Sequence, residues 1–318
     1  MEKPFVSVIM PIYNASRFLD QSLGGLLRAP SPDLEIICVN DGSTDDSLEI
    51  VKRYAKNDRR IRIIDQKNGG YGSAWNTGIR AATGEYVGNL DPDDFVDPEM
   101  YEELYKIAIK NKADVVKSNY FKYQGKEDKS TFFEVLKAYP YDVVTSAAEN
   151  EKIVCVTPCI WSSIYRRQFL LDNNLWFHDT PGVCYQDTAW VFKMWVCAKR
   201  VVFTKKAYVH YRIDNENSSV HSKGKVFSVC DEFHSIESFL NYDKAKRVKF
   251  SKILQVLKYN TYTWNLKRIS DDYKRTFKDQ MALEFIKADY DGFLDPSYFT
   301  KSQWAGVQKY ISDYQKTT

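Results

Sequence analysis

The sequence has no Cys-x-x-Cys pair, although it contains six cysteines in 318 residues. Cys155 and Cys159 lie four residues apart with no pair of histidines nearby, which argues against a structural zinc site. A chain of this length can bury a large core and does not need a disulfide framework. We therefore expect reduced thiols, as in a cytoplasmic protein.

Long apolar segments are also missing. No uncharged apolar run approaches the length that a membrane-spanning helix needs. The apolar segment from Val6 to Ile12 is short, contains Pro11 and follows no basic leader, so we interpret it as a strand rather than a signal peptide. These absences predict a protein that is made and kept inside the cell.

Two nucleotide-binding motifs are absent as well. The sequence has neither Gly-x-Gly-x-x-Gly nor a Walker loop, which argues against dinucleotide oxidoreductases and P-loop NTPases. The net charge of +3 is too small to indicate nucleic-acid binding. Positive charge concentrates in residues 241–318, where 15 Lys and Arg face 9 Asp and Glu among several Trp and Tyr. This basic aromatic region fits either a solvated helical face or peripheral contact with a membrane.

The first 120 residues contain an alternation of apolar strands and amphipathic helices. This pattern is typical of an α/β fold with a mostly parallel, Rossmann-like sheet flanked by helices. Helices are predicted from Ser43, as N-cap, and over Ser73–Ala82. The predicted strands are Phe5–Ile12, Leu34–Val39, Ile61–Ile64, Glu85–Leu90 and Asp114–Ser118. In such sheets ligands bind beyond the carboxyl ends of the strands, where Asn14, Asp41 and Asp91 lie.

The rest of the chain is less regular at first and helical later. Residues 121–150 are polar and are predicted to form a loop or small insertion. Beyond about residue 225 the pattern is helical: Phe250, Ile253, Leu254 and Leu257 share one face, which Trp264 continues. We therefore predict a C-terminal helical region over residues 226–318.

An acidic turn, residues 91–94 (Asp-Pro-Asp-Asp), is the most informative segment. Divalent cations such as Mg²⁺ and Mn²⁺ bind carboxylate oxygens and bridge to phosphates. Capping of the next helix would explain one aspartate, but Asp97 already serves that purpose. Since such close carboxylates would repel each other without a counter-ion, we predict a Mn²⁺ or Mg²⁺ site that uses Asp91 and Asp93.

Two other turns carry weaker signals. Residues 40–43 (Asn-Asp-Gly-Ser) follow a buried strand, but these residue types also form ordinary turns. The glycine-rich stretch 68–72 precedes a helix and could offer backbone N–H groups to a phosphate.

Three motifs in this order resemble the family 2 glycosyltransferases, which have the GT-A fold. They are Ser7-Val-Ile-Met-Pro-Ile-Tyr-Asn14, Val39-Asn-Asp-Gly-Ser-Thr-Asp45, and Gly84-Glu-Tyr-Val followed by Leu90-Asp-Pro-Asp-Asp94. The resemblance is strong over residues 5–120, fair over 155–220 and absent afterwards. It implies an inverting transferase that uses a UDP-sugar donor.

The resemblance also implies roles for particular residues. Asp41 would accept from a uracil N–H, and Asp93 would coordinate the metal. The residues expected to bind the nucleotide-sugar are Pro11, Tyr13, Asn14, Asp41, Asn68, Asn76, Asp91 and Arg212. Trp75 stands where the family often has an arginine, so a phosphate contact is either missing or supplied by Lys67 or Arg80.

The general base implied by the resemblance is Asp187. The family usually has a Glu-Asp pair before a helix, and the matching residues here are Gln186 and Asp187. The base would deprotonate the acceptor hydroxyl on the face opposite the leaving diphosphate. An N-cap for a helix beginning at Thr188 would also explain an aspartate at this position.

A later segment, Tyr208-Val-His-Tyr-Arg212, resembles another part of the family pattern. Arg212 would clamp a phosphate with its planar group of donors. His210 is predicted as a metal ligand, with a phosphate donor and a structural histidine as the alternatives.

The sequence thus predicts a GT-A catalytic domain over residues 1–225, with a nucleotide-binding half (1–120) and an acceptor-binding half (121–225). The expected acceptor is a glycan or lipid-linked glycan, extended on the cytoplasmic side of the plasma membrane. Two rivals stay open: a decayed module that binds nucleotide-sugar without turnover, and a sugar nucleotidyltransferase. The second rival should have a glycine- and arginine-rich loop after the first strand, where Pro-Ile-Tyr-Asn stands.

Overall fold

The computed structural model describes residues 4–29, 33–178, 185–216 and 226–316. The chain forms two compact units. The sheet unit comprises Met1–Glu149, Val156–Val183 and Cys197–Glu216, and the helical unit comprises Asn150–Cys155, Cys184–Val196 and Asn217–Thr318. The predicted domain boundary at residue 225 lies outside the described residues. The helical unit also takes two short segments that the sequence places in the acceptor-binding half.

The sheet unit contains the strands and the first five helices. Its strands are β1 (Val6–Ile12), β2 (Leu34–Asp41), β3 (Ile61–Gln66), β4 (Tyr86–Asn89), β5 (Phe95–Val96), β6 (Val115–Gln124), β7 (Lys129–Phe133), β8 (Val144–Thr145), β9 (Ser163–Arg166) and β10 (Val201–Arg212). Its helices are α1 (Ser16–Leu27), α2 (Ser47–Ala55), α3 (Tyr71–Ala81), α4 (Met100–Asn111) and α5 (Arg167–Asp172). The alternation predicted for the first 120 residues is therefore present.

The ten strands form one mixed sheet in the described part of the chain, with the order β3-β2-β1-β4-β9-β6-β10-β5. β2 and β4 flank β1 in parallel, and β3 extends that parallel half. β9 runs antiparallel between β4 and β6. Every residue of β1 and β2 is buried, as expected for strands covered on both faces.

Tight packing places α3 directly on the sheet. A Cβ atom at Gly78 would lie 2.3 Å from the side chain of Ile9, so the helix can approach β1 only because this residue is glycine. The helix begins at Tyr71, two residues before the predicted start, and follows Gly70 with φ 88°. The middle of β1 is therefore covered by a helix that is held close to it.

Two local predictions are wrong in the sheet unit. α2 begins at Ser47 rather than after Ser43, because Ser43 and Asp45 bond to the backbone of the loop after β1 instead of capping a helix. Residues 121–150 are not a loop throughout: β6 continues to Gln124 and pairs with β7. The two strands form a local hairpin whose polar, exposed second strand lacks the apolar alternation that predicts a strand.

The helical unit contains α6 (Gln186–Cys197), α7 (Ser228–Asn241), α8 (Lys244–Leu266), α9 (Asp271–Tyr290) and α10 (Lys301–Gln315). Only the last residue of α6, Cys197, is counted with the sheet unit. The predicted apolar face of α8 is present in Phe250, Ile253 and Leu254, which are buried. It does not continue to Trp264, which is 43% exposed. No helix in the described ranges is both long and apolar enough to cross a membrane.

Candidate functional site

The acidic turn follows the carboxyl end of β4 and leads into β5. Asp91 accepts hydrogen bonds from the Tyr71 hydroxyl at 2.9 Å and from the Asn89 side-chain amide at 2.8 Å. The turn closes through a bond from the Asp94 N–H to the Asp91 carbonyl. Because β1, β2 and β4 are parallel, this turn lies at the same sheet edge as the loops after β1 and β2.

Asp94 is the most deeply buried member of the acidic turn, with 1% of its surface exposed. Its Oδ1 accepts from the backbone N–H of Arg212, while its Oδ2 has no hydrogen-bond partner among the described residues. Burial, followed by the charges of Asp93 and Asp91, raises the pKa of Asp94 well above its ordinary value. Among the described residues, the charge of Arg212 acts on Asp94 in the opposite direction but does not outweigh burial and the neighbouring carboxylates.

The pKa of Asp91 is raised for the same reasons. Burial and the neighbouring charge of Asp93 raise its pKa to about 6, although Asn89 and Tyr71 act in the opposite direction. A bound cation would stabilise the ionised form of such carboxylates.

The residues present fit a divalent cation that is shared with a ligand. The described residues contain no group of three or more His, Cys, Asp or Glu side chains that could hold a metal ion by themselves. Mg²⁺ is commonly bound by one or two carboxylates together with phosphates and waters. The predicted ligands Asp91 and Asp93 match that smaller set, with the unpartnered oxygen of Asp94 beside them.

Arg212 supports the acidic turn from behind. Its guanidinium lies over the rings of Phe18 and Tyr123, at 4.9 and 4.8 Å from their centroids. Its Nε donates to the carbonyl of Asp93 at 2.9 Å, and another nitrogen donates to Gln21. The side chain is 9% exposed. Two donors of Arg212 thus position the turn, and its contact with a phosphate stays a prediction.

His210 has a structural environment. Its ring is stacked between Phe95 and Phe121, with centroids 4.4 and 4.8 Å away. Its Nε2 lies 3.2 Å from Asp97, and its Nδ1 lies 2.5 Å from the Ser130 hydroxyl. Since both ring nitrogens have protein partners, the prediction of a metal ligand at His210 is corrected in favour of the structural alternative.

Asp41 organises the glycine-rich loop after β3. Its two carboxylate oxygens accept from the backbone N–H groups of Gly69 and Gly70, and from the side chain of Gln66. Its carbonyl accepts from the Asn68 side chain at 2.9 Å. Asp41 is 3% exposed. A carboxylate offers about four acceptor positions, so one stays open, and the contact to uracil stays a prediction.

The loop after β1 is tied to the loop after β2. The Asn14 side chain accepts from the backbone and hydroxyl of Thr44, at 2.8 and 3.3 Å, and Asn14 has φ 49°. Tyr13 is 53% exposed, so its ring is accessible to a planar ligand. Pro11 is buried within β1, beyond the last residue that pairs with β4. Nucleotide contacts of these residues stay predictions.

Asn76 is part of the core. It is 1% exposed, its amide donates to the Phe177 carbonyl at 2.9 Å, and its carbonyl oxygen accepts from the Phe177 N–H at 3.0 Å. Trp75 is fully buried and packs edge-on against the same phenylalanine. The predicted nucleotide contact of Asn76 is therefore corrected, because both ends of its amide already bond within the core.

Tyr211 is a site residue that the sequence does not single out. Its ring stacks on Trp161 with centroids 5.1 Å apart and an interplanar angle of 7°. Burial and the charges of the acidic turn, with Asp94 first, raise its pKa. Tyr211 therefore lies close to the turn, and its position between two residues already considered, His210 and Arg212, is the signal that could have found it.

The predicted base belongs to the helical unit. Asp187 lies in the first turn of α6, which begins at Gln186, two residues earlier than the alternative N-cap role requires. Glu232 of α7 accepts from the Ala189 N–H at 3.1 Å and is 5% exposed. Burial and then the charge of Asp187 raise the pKa of Glu232 to about 8. Sequence reasoning missed this second carboxyl group, because its helix is distant in the chain.

Comparison with known proteins decides the family. The model of glycosyl transferase family 2 matches residues 7–171. The chain is 32% identical over 263 residues to the glycosyltransferase YibD of Escherichia coli, covering 80% of this chain and 71% of YibD. This chain belongs to glycosyltransferase family 2. The resemblance seen in the sequence, and the class of protein it implies, are confirmed.

Two further similarities extend this family assignment. The glycosyltransferase EpsJ of Bacillus subtilis is 35% identical over 219 residues, which cover 68% of this chain and 62% of EpsJ. The crystal structure of S. aureus TarS 1–349 in complex with UDP-GlcNAc matches 91% of this chain and 84% of that one, with a TM-score of 0.75 and 21% identity. The predicted GT-A fold is confirmed. The matched region spans about three fifths of EpsJ, so the likeness to that protein is partial.

Proposed function

We propose that this family 2 member transfers a sugar from a UDP-sugar to a hydroxyl group of a glycan, with inversion and with the help of Mn²⁺ or Mg²⁺. The observation that carries the proposal is the sheet edge at which the acidic turn and the loops after β1 and β2 meet. The TarS neighbour binds UDP-GlcNAc, which favours the same class of donor here. The acceptor would be a growing surface glycan or its lipid-linked precursor.

The protein residues would divide the work as follows. The loops that contain Tyr13, Asn14 and Asp41 would bind the nucleoside. Asp91 and Asp93 would hold the cation, whose charge would offset that of the diphosphate. Arg212 and Asn215 would hold the turn in place, since they bond to the carbonyl and to the carboxylate of Asp93.

Asp187 would act as the base. The acceptor oxygen would attack the anomeric carbon as its proton passes to Asp187. The bond between the sugar and the phosphate oxygen would break, and UDP would leave with the bonding electrons. Attack opposite to the leaving group inverts the anomeric configuration. The role of Asp187 rests on the family resemblance and on its place in the first turn of α6.

Nucleotide binding is the first test. We would measure the thermal midpoint against UDP, GDP and CDP, each with and without Mn²⁺. A ligand that binds the folded state raises the midpoint by mass action, and we expect a rise with UDP that increases with Mn²⁺. Asp93→Asn should abolish the Mn²⁺-dependent part, whereas Asp271→Asn, at an exposed carboxylate on α9, should keep it. No shift with any of the three nucleotides would overturn the proposed donor site.

Turnover is the second test. UDP release would be followed with a panel of UDP-sugars and glycan acceptors. Asp187→Asn should lower kcat by about a hundredfold or more while keeping the UDP-dependent shift of the midpoint. Asp231→Asn, an exposed control on α7, should keep both. Binding of UDP without turnover of any donor in the wild-type protein would instead favour the decayed module.

A further inference from the structure

The helical unit contains a cavity that has no part in the proposed transfer. It has a volume of about 140 Å³ and is formed by residues of α7, α8 and α9 together with Phe293. An apolar cavity of about 150 Å³ in another protein holds a benzene ring, so this one is about the size of one bare six-membered ring and a bulkier ligand would extend from it. Its lining combines apolar side chains such as Leu254 and Ala288 with amide, carboxylate and cationic groups.

One lining residue has an unsatisfied polar atom. Gln255 is 3% exposed, and its Nε2 donates to the Ser251 carbonyl at 3.2 Å. That bond sets the orientation of the amide, because the opposite orientation would bring two acceptors together. The Gln255 Oε1 has no hydrogen-bond partner among the described residues. A buried acceptor of this kind is stabilised when a donor reaches it.

The charges around the cavity are balanced. Glu237 and Glu284 line it and share Lys258, at 2.5 and 2.9 Å, while Arg247 in the lining supplies a further positive charge. Lys287 and Asp291 also line it and form an ion pair at 3.2 Å. A nucleotide or a divalent cation would meet as much repulsion as attraction here. The lining therefore favours an uncharged ligand with several donors and acceptors.

Planar groups complete the surroundings. The Arg247 guanidinium lies 5.1 Å from the centroid of the Phe293 ring, and both residues line the cavity.

We propose that this cavity binds one pyranose unit of a neutral saccharide. Hydroxyl groups can donate to the unpartnered oxygen of Gln255 and to the carboxylates, and can accept from Arg247 and Lys287. The uncharged ring matches the balanced lining, and the volume limits the site to one sugar unit. The site shares no residue with the donor site, and it stands whether or not the chain turns over a UDP-sugar.

Ligand-observed NMR tests the site directly. Saturation transfer from the full chain would be recorded to the methyl glycosides of glucose, galactose and N-acetylglucosamine, and to the corresponding disaccharides. We expect transfer to at least one of them, and excess UDP should not displace it. If none of these saccharides receives saturation, or if UDP displaces the one that does, the proposal is overturned.

Variants localise the binding. Arg247→Ala should weaken it about tenfold, because a charged donor is lost. Ala288→Leu should abolish it by filling the cavity. The matched control is Lys249→Ala, which removes a basic side chain from the same helix outside the cavity lining. Thermal midpoints near that of the wild type would show that the variants are folded. Unchanged binding in both cavity variants would place the saccharide elsewhere and sink the proposal.

Discussion

The acidic turn and the core of the helical unit both bury carboxyl groups, but their surroundings shift the pKa values of these groups in opposite directions. Lys258, which is 1% exposed, bonds to Glu237 and Glu284, and Tyr262 and Gln280 also donate to Glu284. Burial alone would raise the pKa of Glu284, but Lys258 and these donors outweigh it and the pKa is lowered. In the acidic turn no cation of the described residues outweighs burial, although Arg212 acts in that direction on Asp94, and the pKa values of Asp91 and Asp94 are raised.

The difference distinguishes carboxylates that are paired within the protein, such as Glu284, from carboxyl groups that a bound ligand would stabilise, such as those of the acidic turn. A compensated buried ion contributes to the packing of its own unit, whereas an uncompensated one costs free energy until a partner binds. Glu232, beside the predicted base, is a second uncompensated carboxyl group. Carboxyl groups with raised pKa values thus occur in the acidic turn and beside Asp187, the two places to which the proposed reaction assigns a role. Shifted pKa values are common at functional sites.

The largest effect should come from breaking the compensated cluster. Lys258→Met would leave Glu237 and Glu284 without their cation, and we expect the free energy of unfolding to fall by about 3–5 kcal/mol. Urea denaturation followed by circular dichroism measures it. Lys274→Met, at an exposed pair with Asp271, should cost less than about 1 kcal/mol. Equal losses in the two variants would contradict the contrast between buried and exposed pairs.

A smaller effect of opposite sign is expected at Glu232. The folded protein binds more protons than the unfolded chain between about pH 4.5 and 8, because burial raises the pKa of Glu232 to about 8. Its stability should therefore fall as the pH rises through that window. Glu232→Gln keeps an acceptor for the Ala189 N–H but cannot ionise, so it should be about 2 kcal/mol more stable than the wild type at pH 8.

The measurement for Glu232 is a series of thermal midpoints from pH 4.5 to 8.5. The advantage of Glu232→Gln should be close to zero at the acid end and grow with pH. Glu149→Gln, at an exposed position, should show no such trend. A variant that is less stable than the wild type at every pH would show that Glu232 is compensated after all.

The smallest effect should come from Glu35, a compensated carboxylate of the sheet unit. Burial would raise its pKa, but donors from Ser7, Thr83 and Arg62 outweigh it and the pKa is lowered. Glu35→Gln should therefore lower stability by about 1 kcal/mol at neutral pH. This loss should begin to shrink as the pH falls below about 4.5 and should vanish only below the lowered pKa, where the folded carboxylate itself protonates. A loss that persists in acid would point to packing rather than charge.

The sequence predicted much of the sheet unit. Its buried strands and the turns that follow them leave a local pattern, so β1 to β4 and the acidic turn lie where the motifs indicate. The sequence did not predict the contacts of a side chain that a distant segment holds. Asn76 is bound by Phe177, 101 residues away, and Arg212 is held by Gln21 and Asp93. No local spacing reveals such partners.

The sequence by itself determined the family, the alternation of strands and helices, and the carboxylates of the acidic turn, because these follow from residue types at short spacing. Tertiary structure alone decided which charges are compensated. It placed Lys258 between two carboxylates, but left Asp94 with an unpartnered oxygen among the described residues. The physical reason is that burial and the nearest opposite charge set the state of an ionisable group, and both depend on contacts between segments that are far apart in the chain.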